Sequence, residues 1–269
     1  MARTIRTSGW LVGAACLLLT ASASAQLEPT SWTELVGFFI CLSDPRWSGQ
    51  DPASPEPLIQ SVTSTNYSLE TDLTFGPPGP PFVTAHSEGT LSAYVYCAFQ
   101  DRATAQGTVT FQLRIIEKAP LPVVVEYVPM MISTHGSVVT APNSYGDAVA
   151  SVAIMNGNTE VFRKLSEAST GGNPGPIPLD ATKTVSIQPG VVLDGSISVL
   201  SVAALYTLGT GIGATASGGS DFEITSDVIP GTNYLYRDFF DIEYSPGYWA
   251  LGNPTPVHAT TWGKLKSLY

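Results

Sequence analysis

The stretch Thr108-Val109-Thr110-Phe111-Gln112-Leu113-Arg114-Ile115 alternates a polar side chain with an apolar one without a break. Strict period two places alternate side chains on opposite faces of an extended chain, so this is a strand with one dry face and one wet face. The same alternation recurs on both sides of it. Tyr67-Leu69-Thr71-Leu73-Phe75 and Leu91-Ala93-Val95-Cys97-Phe99 precede it, and Val123-Val125-Tyr127 follows a Pro-flanked start at Pro122. Ala148-Ala150-Val152-Ile154 runs into Asn156-Gly157, a tight-turn pair that predicts a hairpin returning through Glu160 and Phe162. Residues 182–188 end at Pro189-Gly190, and residues 197–206 are apolar on both faces, as a strand in the middle of a covered sheet would be. Residues 223–225 and 239–244 close the series.

Roughly ten such strands, punctuated by turns and with almost no helical periodicity between them, predict an all-β fold: an antiparallel β-sandwich, jelly-roll-like. Parallel βαβ architecture would need crossover helices that the pattern lacks. The chain has 269 residues, 43% hydrophobic and 13% charged, a balance that suits a packed core rather than an acidic disordered chain. The formal net charge is −10 with 12 Lys and Arg in total, which argues against a nucleic-acid partner, since phosphate binding needs clustered cations.

The first 25 residues read as a signal peptide. Arg3 and Arg6 make a positive start, residues 10–19 an apolar core, and Ala21-Ser22-Ala23-Ser24-Ala25 a small-residue run with cleavage expected after Ala25. Cys16 lies inside the apolar core, not at a lipoprotein cleavage point. Cys41 and Cys97 are then left in a chain bound for an oxidising compartment. A disulfide between them would close a loop of roughly 57 residues, for which loop entropy gives about 4 kcal/mol. The alternative is two separate buried thiols. The expected layout is a signal peptide at 1–25, an extension and Pro-rich linker at 26–57, the sandwich at 58–250 and a tail at 251–269. Within the extension, Ser31-x-x-Glu34 fits a helix capping box ahead of an apolar run, while Gly37 and Phe38-Phe39-Ile40 fit a strand equally well. Gly76-Pro77-Pro78-Gly79-Pro80-Pro81 is expected to be a polyproline loop.

No catalytic constellation emerges. Gly209-Thr210-Gly211-Ile212-Gly213-Ala214 matches a loose dinucleotide fingerprint, but the Gly and Ser that follow do not start a helix, so a flexible or bulged strand is expected over 209–219. There is no G-x-S-x-G elbow, and His86, His135 and His258 stand far apart in loop-like contexts without zinc-ligand spacing. Asp221, Glu223, Asp227, Asp238, Asp241 and Glu243 concentrate near the end of the chain and are the candidate Ca²⁺ ligands, with solvated strand edges as the alternative. Two of them across a cleft could serve glycoside hydrolysis. Tyr234, Tyr236, Phe239, Phe240, Tyr244, Tyr248 and Trp249 are dense enough for a sugar-stacking platform, with Tyr248 and Trp249 as its candidate ligand contacts; core packing is the alternative use. Asn66-Tyr67-Ser68 is a formal glycosylation sequon.

The order of features over residues 89–248 resembles the exported bacterial β-sandwich proteins that accompany PEP-CTERM sorting tails. The pieces that carry the likeness are residues 93–101 followed by 108–115, Leu121-Pro122-Val123, residues 148–154, Ile187-Gln188-Pro189-Gly190 and Tyr244-Ser245-Pro246-Gly247. The sorting tail itself is not matched: Pro55-Glu56-Pro57 stands near the start. The end of the chain, with Trp262-Gly263-Lys264-Leu265-Lys266, is similar to short tails of other secreted bacterial proteins and reads as a sorting tag or a frayed turn. The resemblance implies a secreted or cell-surface protein without an assigned activity, and it transfers no catalytic residue. The sequence therefore predicts a non-enzymatic surface, matrix or interaction module, with a glycan or another surface protein as partner. A carbohydrate-binding module and then a glycan-active enzyme are the alternatives.

Overall fold

The computed structural model of the chain describes residues 26–36, 56–63, 65–75, 81–93, 102–141, 145–169, 171–205 and 209–248. The expectations placed on the signal segment, Cys41, Cys97, the linker around 51–55, His258, Trp249 and the tail lie outside them. In chain order the strands are β1 (Ser31–Val36), β2 (Leu58–Thr63), β3 (Tyr67–Phe75), β4 (Phe82–Leu91), β5 (Arg102–Glu117), β6 (Val128–His135) and β7 (Ser137–Thr140). They continue with β8 (Tyr145–Asn156), β9 (Thr159–Ser169), β10 (Ile177–Pro178), β11 (Ala181–Ile187), β12 (Val192–Ala204), β13 (Gly209–Ile224), a single helical turn α1 (Tyr236–Phe239) and β14 (Phe240–Tyr244). Among the described residues 69% are strand and 2% helix, and two antiparallel sheets pack face to face. Fourteen strands are present among the described residues, more than the ten read from the pattern.

Sheet A runs β1-β5-β12-β8-β9, and sheet B runs β10-β7-β13-β4-β3-β2. Two strands of each sheet share a neighbour end to end. β1 takes residues 105–110 of β5 and β14 takes residues 113–117, while β7 and β6 divide β13 in the same way. The alternating stretch that decides the fold forms the second half of β5. Val109, Phe111, Leu113 and Ile115 are buried between the sheets, and Thr108, Thr110, Gln112 and Arg114 stand on the outer face. β12 is central, between β5 and β8, as its apolar faces implied. The Asn156-Gly157 hairpin joins β8 to β9, with Gly157 at φ 55°, a conformation that favours glycine.

One expectation is corrected. Residues 123–127 form no strand: Val124 is wholly exposed and Val123 and Tyr127 are partly so, because Pro120 and Pro122 remove ladder donors where the chain crosses from sheet A to sheet B. The glycine-rich stretch is the bulged strand of the two forms expected: it belongs to β13, which pairs with β4, β6 and β7 and has a register shift between Gly209 and Ile212. Residues 31–36, which hold the capping-box pattern, are a strand; the apolar run beyond Val36 lies outside the described residues.

The core is divided by polar side chains. A large cluster fills most of the space between the sheets, and a small one of Leu69, Leu91, Ala103, Ala203 and Leu205 closes one end. Between them lie the buried Thr71, Ser87 and Ser201, and Ser87 Oγ reaches Ser201 Oγ at 2.8 Å across the two sheets. At the opposite side of the large cluster, Tyr248 stacks on Phe111 at 4.2 Å and on Tyr244 at 5.1 Å, and its hydroxyl donates to Ser220 O at 2.8 Å. Burial pushes both phenols above the usual tyrosine range.

Candidate functional site

Part of the outer face of sheet A carries rows of polar side chains, because the outward positions of β5 over 106–112 are Gln and Thr and those of β12 over 194–198 are Asp and Ser. Register brings them side by side. Thr108 pairs with Ser198, which pairs with Ser151; Thr110 pairs with Ser31 on one side and Ser196 on the other; Gln112 pairs with Asp194. At the end of these rows the segment before β1 folds over the sheet and makes a groove of about 630 Å³. Glu28, Ser31, Thr110, Gln112, Asp194 and Ser196 are its polar lining.

Gln112 organises the groove. Its Nε2 donates to Asp194 Oδ1 at 2.9 Å, and its Oε1 accepts the Glu28 N–H at 2.8 Å, so the amide is held at both ends. Its backbone N–H donates to Ser245 Oγ at 3.1 Å, and the Ser245 N–H donates to its carbonyl at 2.8 Å. Ser245 Oγ also lies 3.0 Å from Thr30 Oγ1, which fastens the N-terminal segment to the turn after β14. Ser31 and Thr110 hydroxyls bond to each other, and Thr108 Oγ1 lies 3.1 Å from Ser198 Oγ. One row further along, Arg114 Nε donates to Glu243 Oε2 at 2.6 Å and ties β14 to β5. Gly195, on the floor, is required by what lies beneath it: a Cβ there would come 2.2 Å from the Phe111 ring.

Such a site offers alternating donors and acceptors on regular strands, which suits a ligand rich in hydroxyls. A smaller hollow of about 190 Å³ opens at the other end of sheet A, lined by Arg102, Tyr145, Asp147 and neighbouring backbone. Exposed Tyr145 borders it.

The residues singled out from sequence lie elsewhere. Tyr248 is completely buried, so it is a core residue rather than a platform: it follows the Pro246-Gly247 turn after β14 and stacks on Phe111 between the sheets. The six acids expected to hold Ca²⁺ are dispersed over β13, the following loop, α1 and β14. Asp221 faces His135 at 3.5 Å, Asp227 accepts from Thr225 Oγ1 at 2.7 Å, Asp241 accepts from the Ile242 N–H at 2.9 Å, and Glu243 holds Arg114. Among the described residues no three or more of His, Cys, Asp and Glu are arranged to hold a metal ion. His86 and His135 sit on strands, not in loops. His86 Nδ1 lies 2.8 Å from Thr215 Oγ1, and the His135 ring stacks on Phe82 at 5.6 Å. Sequence reasoning missed Gln112, Asp194 and Glu28; the signal available was the alternation itself, whose wet positions fall on one surface once β5 and β12 are paired.

No family model matches the chain, and no curated protein does. Among solved structures, the chain is similar to the carbohydrate-binding module TmCBM61 in complex with β-1,4-galactotriose, at 7% identity over 63% of this chain and 88% of that one. The TM-score of 0.21 is below that of a shared fold and assigns no ligand here.

Proposed function

We propose that the chain is an exported, non-enzymatic binding module whose groove on the outer face of sheet A takes a polyhydroxylated ligand, a glycan chain. The observation that carries this reading is the fixed array of Gln112, Asp194, Ser196, Thr110 and Ser31 in one groove. Sugar hydroxyls both donate and accept, so they are recognised by polar side chains already oriented through bonds to their neighbours, which limits the ordering cost on binding. Export is supported by the tripartite pattern of residues 1–25. Glu28 and Asp194 line the same groove, and the rival reading uses them as acid and base of a glycan-active enzyme.

A glycan array followed by calorimetric titration of the best oligosaccharide tests both. Asp194→Ala and Gln112→Ala are each expected to weaken binding by about tenfold or more, the usual loss for a hydrogen bond involving a charged or buried partner. New reducing ends released from the bound glycan would favour the enzyme. A blank array with capture of a purified surface protein would overturn the glycan in favour of a protein ligand.

A further inference from the structure

The inner face of the sandwich holds a carboxylate without a partner. Glu34 lies on β1 between Trp32 and Val36, is 2% exposed, and neither of its oxygens has a hydrogen-bond partner. Three more buried side-chain oxygens are in the same condition, Gln60 Oε1 on β2 and Thr71 Oγ1 and Asp72 Oδ1 on β3, of which Asp72, next to Thr71 in the strand, belongs to the opposite face. Gln60 and Thr71 are register partners, so they share one face of sheet B, and β1 packs against both of their strands. Trp32 meets Phe75 edge-on at 4.9 Å. Gly107, the register partner of Glu34, sits against Leu73, since a Cβ there would lie 2.8 Å from Leu73 Cδ1. Leu73 is two positions from Thr71 on the same face.

All of these orphaned atoms are oxygens. Protonating Glu34 would remove its charge and supply one donor, which cannot serve all of the orphaned oxygens at once. A hard cation takes oxygen ligands only and satisfies carboxylate, amide and hydroxyl together. We propose that Glu34, Gln60 and Thr71 form a Ca²⁺ site between β1 and the β2–β3 edge of sheet B. The ion joins β1 of one sheet to the edge of the other and neutralises the buried Glu34 carboxylate. Ca²⁺ suits the set better than Mg²⁺, which keeps its waters and resists an all-protein cage. The site is separate from the outer groove and from the six acids between Asp221 and Glu243.

The test is thermal unfolding of the purified protein in chelator, in Ca²⁺ and in Mg²⁺. With Ca²⁺ at 100 times its dissociation constant, the midpoint is expected to rise by about 5–10 °C, and less with Mg²⁺. Glu34→Gln, an uncharged isostere, is expected to fold with a midpoint in chelator at or above that of the parent and to lose the Ca²⁺ shift. Asp241→Asn is expected to keep it. Thr71→Val, which removes a neutral ligand, is expected to reduce the shift and serves if Glu34→Gln does not fold. No shift in the parent at millimolar Ca²⁺, or a shift undiminished in Glu34→Gln or Thr71→Val, would overturn the site. An equal response to Mg²⁺ would overturn the choice of ion.

Discussion

Gly195 shows how the core and the outer groove depend on one position. Its partner in the ladder is Phe111, whose ring fills the space a side chain would occupy and then stacks on Tyr248. Gly195→Ala would drive a methyl into that ring, and overpacking of this kind costs about 1–3 kcal/mol. The expected outcome is a loss of about 2 kcal/mol in urea unfolding, together with weaker ligand binding, since the displaced strand carries Asp194 and Ser196. An unchanged urea midpoint would mean that the ring moves aside freely and that the floor of the groove is not set by it. Tyr248 sits in the same stack, and its place there explains why an aromatic-rich sequence did not become an aromatic surface. Alternation brings Tyr244 inward and the turn at Pro246-Gly247 brings Tyr248 in beside it, and their hydroxyls find Phe222 O and Ser220 O.

At the scale of elements, the contact between the sheets includes one polar seam, the Ser87–Ser201 pair. Removing one partner leaves a buried hydroxyl unbonded, at about 1–3 kcal/mol, whereas removing both with small apolar groups is nearly neutral. Ser87→Ala and Ser201→Ala alone are expected to destabilise more than the double variant does, read by denaturant midpoints in a double-mutant cycle. Additive losses would show that the bond does not join the sheets energetically. Strands such as β3, β5 and β8 were legible because their alternation is strict, and the hairpin after β8 and the turn after β11 because Asn-Gly and Pro-Gly mark them. β13 was legible only in part, as a bulged glycine-rich stretch and a short strand at 223–225, since glycine, serine and alanine carry almost no hydrophobic signal; pairing with β4, β6 and β7 makes it one strand. The segment 123–127 fails the other way, where Val123, Val125 and Tyr127 satisfy the pattern but prolines deny it a ladder. The candidate groove was legible only as a row of wet positions, since register between β5 and β12, which are far apart in the chain, is not written in either strand alone. Glu34 read as a capping residue, and only the pairing of β1 with β5 turns it to the interior.

For the whole molecule, the two faces of sheet A divide the work: the inner face supplies the core, and the outer face presents hydroxyl, amide and carboxylate groups in register. The N-terminal segment closes one end of that face and is fastened to the turn after β14 through Thr30 and Ser245. A binding surface made of β1, β5, β12 and the segment before β1 exists only when the sandwich is complete, so ligand affinity and global stability should fall together. The most direct measurement is a titration of soluble oligosaccharides into isotopically labelled protein, following backbone amide shifts. The account expects the perturbed amides to cluster at Glu28, Ser31, Gln112, Asp194 and Ser196. Perturbation confined to sheet B or to the hollow beside Tyr145 would contradict it, as would the absence of any perturbed amide across the oligosaccharide panel.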